Sequence, residues 1–444
     1  MKIGNDYVRG GIALATVLAF WAMGKAGVNA ATLTILLLVV AFVYFFTEIF
    51  PIAFTAMLVP IVLSVTGILK AKVAFSYFGE KWVLVFLFMF MVGEGLFRTG
   101  AAQKIGEAVV RIAGKDEVKL MFLIMCVTAL LSGFLSNTAT TVSLMPIVVA
   151  AAYASGISPK RLLLPLAWAA SLGGTLTVIG TPPNGIINSV LDSLGMKPFG
   201  FFEFAKLGLP ITVVGIALAI TVGRKFLPSS AAEFKGDSIS QVKKEDLRSD
   251  KMWLSVVIFA FTILCMMLKI LPYQVAAALG AVLMVAFGCI TAKEAFNSVS
   301  WTTVFLFAGM LPLSAAMKET GAAKLVGHAI VAHIHNPYLL LLGLMLVAFA
   351  LGNAMSHTAT TAILSPLAVS VAQTAHLNPY TFLMAIAMIA NVGFWTPVST
   401  PPNTIVFGPG EYTFMDYIKA GAVIEIALFI LVFVLTPILY PIGG

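Results

Sequence analysis

The sequence predicts an all-α polytopic membrane protein, with about eleven transmembrane helices and two re-entrant helical hairpins laid out as inverted repeats. Three observations predict it. The 444 residues are 60% hydrophobic and only 10% charged, against about 25% charged in soluble domains. Apolar stretches of about 20 residues, the length that crosses a bilayer, recur along the chain and leave no room for a soluble domain of useful size. The second half repeats the motifs of the first in the same order.

Taken in order, the spans fall near 8–27, 31–48, 51–69, 82–98, 160–195 (broken), 205–225, 252–270, 272–291, 300–317, 379–408 (broken) and 416–441. The opening stretch, with small residues near Ala30, has the look of a signal peptide, but the charge topology needs it as a first span. Two further apolar segments, 117–155 and 337–375, would each make a helix of roughly 57 Å at about 1.5 Å per residue, almost twice a bilayer core. Lys115 and Lys119 precede the first and Lys160 and Arg161 follow it, so the chain returns to the side it left. Two full spans or a re-entrant hairpin both satisfy that charge pattern. The hairpin places the polar Ser-Asn-Thr turn at membrane depth, where irregular backbone must be buried or face a cavity; two full spans would leave it in water with nothing to do. Stretches 101–113 and 322–333 read as amphipathic helices in the interface.

The net charge of +8 does not indicate nucleic acid, because the basic residues sit in short loops as the positive-inside rule expects. With the amino terminus inside, 18 of the 27 lysines and arginines lie inside and nine outside. The carboxyl terminus then lies outside, in a cytoplasmic (cell) membrane, and 228–251 is a cytoplasmic linker. Cys126, Cys265 and Cys289 are isolated in apolar runs without metal spacing. His328, His333, His335 and His376 fall in outer loops, and Glu94 reads as a helix-end or interface residue.

The repeat is regular. "WVLVFLF" from Trp82 pairs with "WTTVFLF" from Trp301 at an offset of 219, and "SNTATT" from Ser136 pairs with "SHTATT" from Ser356 at 220. Pro146 pairs with Pro366, and "TPPN" from Thr181 pairs with "TPPN" from Thr400. The Trp82 span is the fourth and the Trp301 span the ninth, so the copies cross in opposite directions. Inverted repeats with broken helices meeting at the midplane are the architecture of secondary transporters. The division that follows is 1–115 and 252–335 for the early spans and linker helices, and 116–227 and 336–444 for the hairpins, broken helices and following spans.

Each copy carries two interruptions. Paired prolines break the helix, and the residues at the breaks, Thr181, Pro183 and Asn184 with Thr400, Pro402 and Asn403, are expected to bind the substrate. Ser and Thr at helix starts cap free N–H groups, and such starts bind anions, while freed carbonyls bind small cations. Two equivalent half-sites fit a molecule with two carboxylates. Phosphate, sulfate or an uncharged polar solute fit the same pattern.

These paired tips followed by "GTPPN" and "STPPN" resemble the divalent anion/sodium symporter family, the INDY-like dicarboxylate transporters, over nearly the whole chain; the look is nearest to bacterial (lactobacillus) INDY-like exchangers. The resemblance implies a homodimer whose transport domain slides like an elevator against a scaffold. It implies substrate contacts at Ser136, Asn137, Thr138, Ser356, His357 and Thr358. It also implies one sodium site at Ser132, Ser136, Asn137 and Gly180, and a second using residue 357 with backbone near Gly352, Met355 and Ser399. His357 stands where the sodium-coupled members carry Asn. An imidazole titrates near physiological pH, and an imidazolium in place of a mobile cation points to anion exchange instead of sodium symport, which remains the alternative. No other cofactor is expected. A hydrolase with Ser136 or Ser356 as nucleophile and His357 as base is disfavoured, since adjacent residues do not face one another and no orienting carboxylate lies near. A passive channel fits closed polar tips poorly. Succinate, malate, fumarate, 2-oxoglutarate, tartrate and citrate all satisfy the sequence.

Overall fold

The computed structural model describes residues 6–228 and 247–443; Lys2 and most of the linker expected over 228–251 lie outside the described residues. The first part comprises α1 (Asp6–Lys25), α2 (Ala30–Thr47), α3 (Ile52–Val65), α4 (Ala71–Ser76), α5 (Lys81–Arg98), α6 (Ala101–Ala113), α7 (Glu117–Ser132), α8 (Asn137–Ala154), α9 (Lys160–Gly174), α10 (Pro182–Ser193) and α11 (Ala205–Thr221). The second comprises α12 (Met252–Met267), α13 (Tyr273–Ala286), α14 (Ala292–Ser298), α15 (Trp301–Glu319), α16 (Ala322–Val331), α17 (Pro337–Ala354), α18 (His357–Thr374), α19 (Pro379–Asn391), α20 (Pro401–Phe407) and α21 (Phe414–Leu439). Each helix from α2 to α11 has its counterpart ten places later, and α1 stands outside the repeat.

Every expected span coincides with a helix or a broken pair. Among the described residues seven helices, α8 and α17 of the hairpins included, are by length and composition able to cross a membrane unaided, and the other spans are shorter or interrupted. The short helices α4 and α14, ahead of the two Trp-led spans, were not expected from hydropathy. They are too short and too polar to show a period. His328 lies within α16, not in a loop.

Burial sorts the helices into two kinds. Leu162–Gly174 of α9 and Thr381–Asn391 of α19 are buried on every face, as helices apolar all round must be. By contrast α12 exposes Trp253, Val257, Phe261 and Leu264 at a spacing of three to four, a stripe for lipid. The halves interlock. α10 packs on α18 and α19, and α20 packs on α8 and α9, so each half's second half-helix closes against the other half's hairpin. Small residues allow the tightest crossings: a Cβ on Gly173 would lie 2.2 Å from the carbonyl oxygen of Ala129, which brings the backbones of α7 and α9 into contact.

Candidate functional site

Both hairpin tips are helix starts. α7 stops at Ser132, the chain turns, and Ser136 caps α8; α17 stops at Ala354 and Ser356 caps α18. The Ala139 N–H faces Ser136 Oγ at 3.5 Å and the Ala359 N–H faces Ser356 Oγ at 3.3 Å. Inside each first turn, the N–H groups of Asn137, Thr138 and Thr358 have no intrahelical acceptor and carry the positive end of the helix dipole.

The two breaks are held open by the asparagines of the Thr-Pro-Pro-Asn motifs. Asn184 Nδ2 donates to the carbonyls of Gly174 (3.1 Å) and Thr177 (2.8 Å). Asn403 Nδ2 donates to those of Gly393 (2.9 Å) and Thr396 (3.0 Å), the equivalent positions at an offset of 219. Thr181 and Thr400 occupy the cap positions of α10 and α20, yet neither side chain makes a capping bond. The reason is local. Pro182 and Pro183, like Pro401 and Pro402, have no N–H for the hydroxyl to accept. The expected capping role of these threonines is therefore not realised.

The tips and the break starts meet around a cavity of about 260 Å³. Ser136, Asn137, Thr138, Thr181, Pro182, Ser356, His357, Thr358 and Pro401 line it. Pro183, Asn184, Pro402, Asn403 and Thr400, expected there, do not; they are buried away from the lining. Phe86, Met89 and Phe90 of α5, and Ser300, Thr302, Thr303 and Leu306 at the start of α15, supply the opposite wall. Sequence reasoning missed these. The signal available was the hydroxyl cluster beside Trp301, at a span start where hydrophobic residues are the norm. No Lys, Arg, Asp or Glu is among the lining residues, and His357 is the titratable one.

The half-sites differ in chemistry. Asn137 Oδ1 lies 2.6 Å from Ser132 Oγ and 3.1 Å from the carbonyl oxygens of Ala170 and Gly180. Ser132 Oγ is also 2.8 Å from the Ala170 oxygen, and its one hydrogen cannot serve both. Four oxygens thus crowd one point. A turned amide would relieve this by donating its two hydrogens to Ser132 Oγ and the Gly180 carbonyl while Ser132 Oγ donates to Ala170, and so would a small cation. Gly174 makes the crowding possible, since a Cβ there would lie 2.7 Å from Asn137 Oδ1. In the other half the N–H of His357 donates to the Ser399 carbonyl at 3.2 Å, and its Nδ1 lies 3.4 Å from the same oxygen. In the Nδ1–H tautomer the ring is a second donor to that carbonyl and takes the lone pair that would otherwise be open to a cation.

Residues 42–380 match the family model of the citrate transporter, CitMHS. The chain belongs to this family. Among relatives of this CitMHS member, the sodium-dependent high-affinity dicarboxylate transporter 3 of Caenorhabditis elegans is 26% identical over 88% of this chain and 80% of its own length. The sodium-dependent dicarboxylate transporter SdcS of Staphylococcus saprophyticus is 24% identical over 90% of this chain and 84% of its own. YfbS of Escherichia coli, described as an uncharacterized transporter, is 24% identical over 91% and 98%. Among solved structures, the Alcanivorax borkumensis YdaH transporter shares the fold with a TM-score of 0.61 at 15% identity, covering 83% of this chain and 88% of that one. The CitMHS protein is thus a multi-pass membrane transporter and not an enzyme.

Proposed function

We propose that this protein exchanges di- and tricarboxylates across the cytoplasmic membrane by alternating access. One observation carries the reading: two inverted helix starts, Ser136-Asn137-Thr138 and Ser356-His357-Thr358, line one cavity that has no fixed cationic side chain. Each start offers hydroxyls and free N–H groups to one carboxylate, so a molecule with two carboxylates bridges them. The dicarboxylate of the relatives' names and the citrate of the family's support the same class. His357 in place of the first half's Asn137 favours exchange: its ring occupies the Ser399 carbonyl and supplies a proton-bearing group where a second mobile cation would sit.

Ser132, Asn137 and the carbonyls of Ala170 and Gly180 are a donor set that fits a sodium ion, which would lend its charge to the first carboxylate. That oxygen cluster favours a second reading, sodium-coupled dicarboxylate symport. The hairpins, broken helices and following helices of both halves (116–227, 336–444) would slide as one body against the early helices, as in an elevator, within a homodimer. Positive-inside bias supports an inside amino terminus and an outside carboxyl terminus.

The test is a counterflow panel in proteoliposomes loaded with succinate, malate, fumarate, 2-oxoglutarate or citrate, with and without sodium. Uptake that needs internal carboxylate and not sodium supports exchange. Strict dependence on a sodium gradient without trans-stimulation selects symport, and no uptake of any carboxylate removes both.

A further inference from the structure

Among the described residues, Glu425 is the acidic side chain that is buried, at 1% exposure. It sits midway along α21, between α17 and the unwound segment 392–400. One oxygen accepts from Asn353 Nδ2; the other accepts from the backbone N–H of Phe394 (2.5 Å) and of Trp395 (2.9 Å).

The inverted repeat shows what this carboxylate replaces. Glu203-Phe204, Lys206 and Gly208 of the first half align with Asp416-Tyr417, Lys419 and Gly421 at an offset of 213. The packing agrees: Gly208 abuts the Thr175 carbonyl and Gly421 the Phe394 carbonyl, and 175 and 394 are equivalent. The same offset places Glu425 at the position of Thr212, whose hydroxyl donates to the Leu172 carbonyl at 3.1 Å. In the first half the backbone stays wound, with the Thr175 N–H bonded to the Leu172 carbonyl (3.1 Å) and the Leu176 N–H to that of Gly173 (3.0 Å). In the second half the helix stops at Asn391, the equivalent of Leu172, and the N–H groups of Phe394 and Trp395 go to Glu425. One molecule therefore displays both arrangements of the same loop, wound beside a neutral hydroxyl and unwound beside a carboxylate.

That loop also holds the second tip, because its Ser399 carbonyl accepts from the His357 N–H. Asn353 suits either protonation state. Its Nδ2 serves the carboxylate, while its buried Oδ1 has no partner and, with the amide turned, accepts from a carboxylic O–H. The charged and titratable groups on the packed elements are engaged or placed elsewhere. Lys206 pairs with Glu203, Tyr380 Oη donates to the Lys197 carbonyl, Asp416 Oδ2 accepts from the N–H and hydroxyl of Thr413, and Tyr417 Oη donates to the Asn403 carbonyl. Tyr338 lies at the far end of α17, Lys419 is on the first turns of α21, Arg224 and Lys225 follow α11, and His357 faces Ser399. Among the described residues none forms an ion pair with Glu425. A charge at this depth held only by neutral donors is costly.

We propose that Glu425 is a proton-binding site of the transport cycle. An O–H bond forms on a Glu425 oxygen with a proton taken from water on the side to which the site opens, and breaks on the other side. The acid is a weaker acceptor than the carboxylate. It releases the N–H groups of Phe394 and Trp395 to rewind as their first-half equivalents are wound, which shifts Ser399 and the tip it holds. The proposal rests on the carboxylate-site reading only for its flux readout.

The test compares the full chain with Glu425→Gln and Glu425→Asp. In sodium-free proteoliposomes, wild-type succinate and citrate counterflow should change with pH by up to about tenfold per pH unit on the limb where one proton limits. Glu425→Gln should flatten that limb, and Glu425→Asp should move it; substrate ionisation is common to all three. An infrared pH titration of the purified proteins should show a carboxylic C=O band that Glu425→Gln removes. A Gln variant that keeps the wild-type pH profile overturns the proposal, as does a titration without that band, whatever the flux. A titrating band in a protein that moves no carboxylate keeps the proton site and rejects the substrate reading.

Discussion

Trp82 Nε1 donates to Asp192 Oδ2 at 2.9 Å, with Lys81 Nζ 2.6 Å from the same oxygen, and this ties the start of α5 to the end of α10. Ser189 Oγ adds a bond to Glu80 Oε2 at 3.0 Å. The equivalent end of the other half is free of this closure: Trp301 is 44% exposed, and Glu411, the equivalent of Asp192, lies 3.8 Å from Lys160 instead. The cavity accordingly reaches Ser300, Thr302 and Thr303 but not Lys81. One end of a pseudo-symmetric site is latched while the other is open. Asp192→Ala should loosen the latched end by about 1–2 kcal/mol, roughly 5- to 30-fold in the opening equilibrium. Hydrogen exchange in the first turn of α5 measures this; unchanged protection there would show that the latch holds nothing.

The oxygen cluster at Asn137 makes a prediction about ions. If it holds sodium, sodium but not potassium should raise the melting temperature, by the equivalent of about 2.7 kcal/mol at a concentration 100-fold above the dissociation constant. Ser132→Ala should abolish the difference. A sodium effect that survives Ser132→Ala places the ion elsewhere.

His357→Asn gives the second tip the first half's residue. Exchange should fall while folding, judged by melting temperature and gel-filtration profile, is kept. Sodium dependence should appear, because the Ser399 carbonyl loses its imidazole partner. Unchanged uptake and affinity would reduce His357 to packing.

Asn184 and Asn403 are expected to act on stability first. Alanine at Asn184 leaves the Gly174 carbonyl without its donor, at about 1–3 kcal/mol for the group left unsatisfied, while at Asn403 the loss is smaller because Ser399 Oγ also reaches the Gly393 and Thr396 carbonyls. Thermal unfolding should show the loss in the absence of substrate. A variant of full stability with a raised KM would return these asparagines to the substrate.

Gly174→Ala tests the tightness of the first half-site. Its Cβ would meet Asn137 Oδ1 at 2.7 Å, nearer than real Cβ contacts run. Transport should drop by 10-fold or more, on the order of 1.4 kcal/mol per decade, with helix content by circular dichroism unchanged. Wild-type flux in this variant would mean that the tip moves freely.

The spans, the hairpins and both breaks were legible because hydropathy and proline chemistry act locally. The asparagines of the breaks were legible as important but not in their direction, since nothing in "TPPN" says whether the amide faces the cavity or the loop behind it. Glu425 passed unremarked within the last span: it stands alone in an apolar run, and its partners lie on α17 and in the 392–400 loop. The wall from Ser300, Thr302 and Thr303 was hidden for a similar reason, being a surface at the start of α15 that faces the tips only after packing.

The sequence by itself determined the membrane class, the inverted duplication and the two Ser-Asn/His-Thr tips, because each depends on the composition or spacing of neighbouring residues. Only the tertiary structure decided that tips 220 residues apart line one cavity, that one end is latched through Asp192, and that Glu425 replaces Thr212 against an unwound loop. Those relations depend on which helix faces of distant segments meet. α9 and α19, apolar on every side, carry no facial pattern from which that meeting can be read.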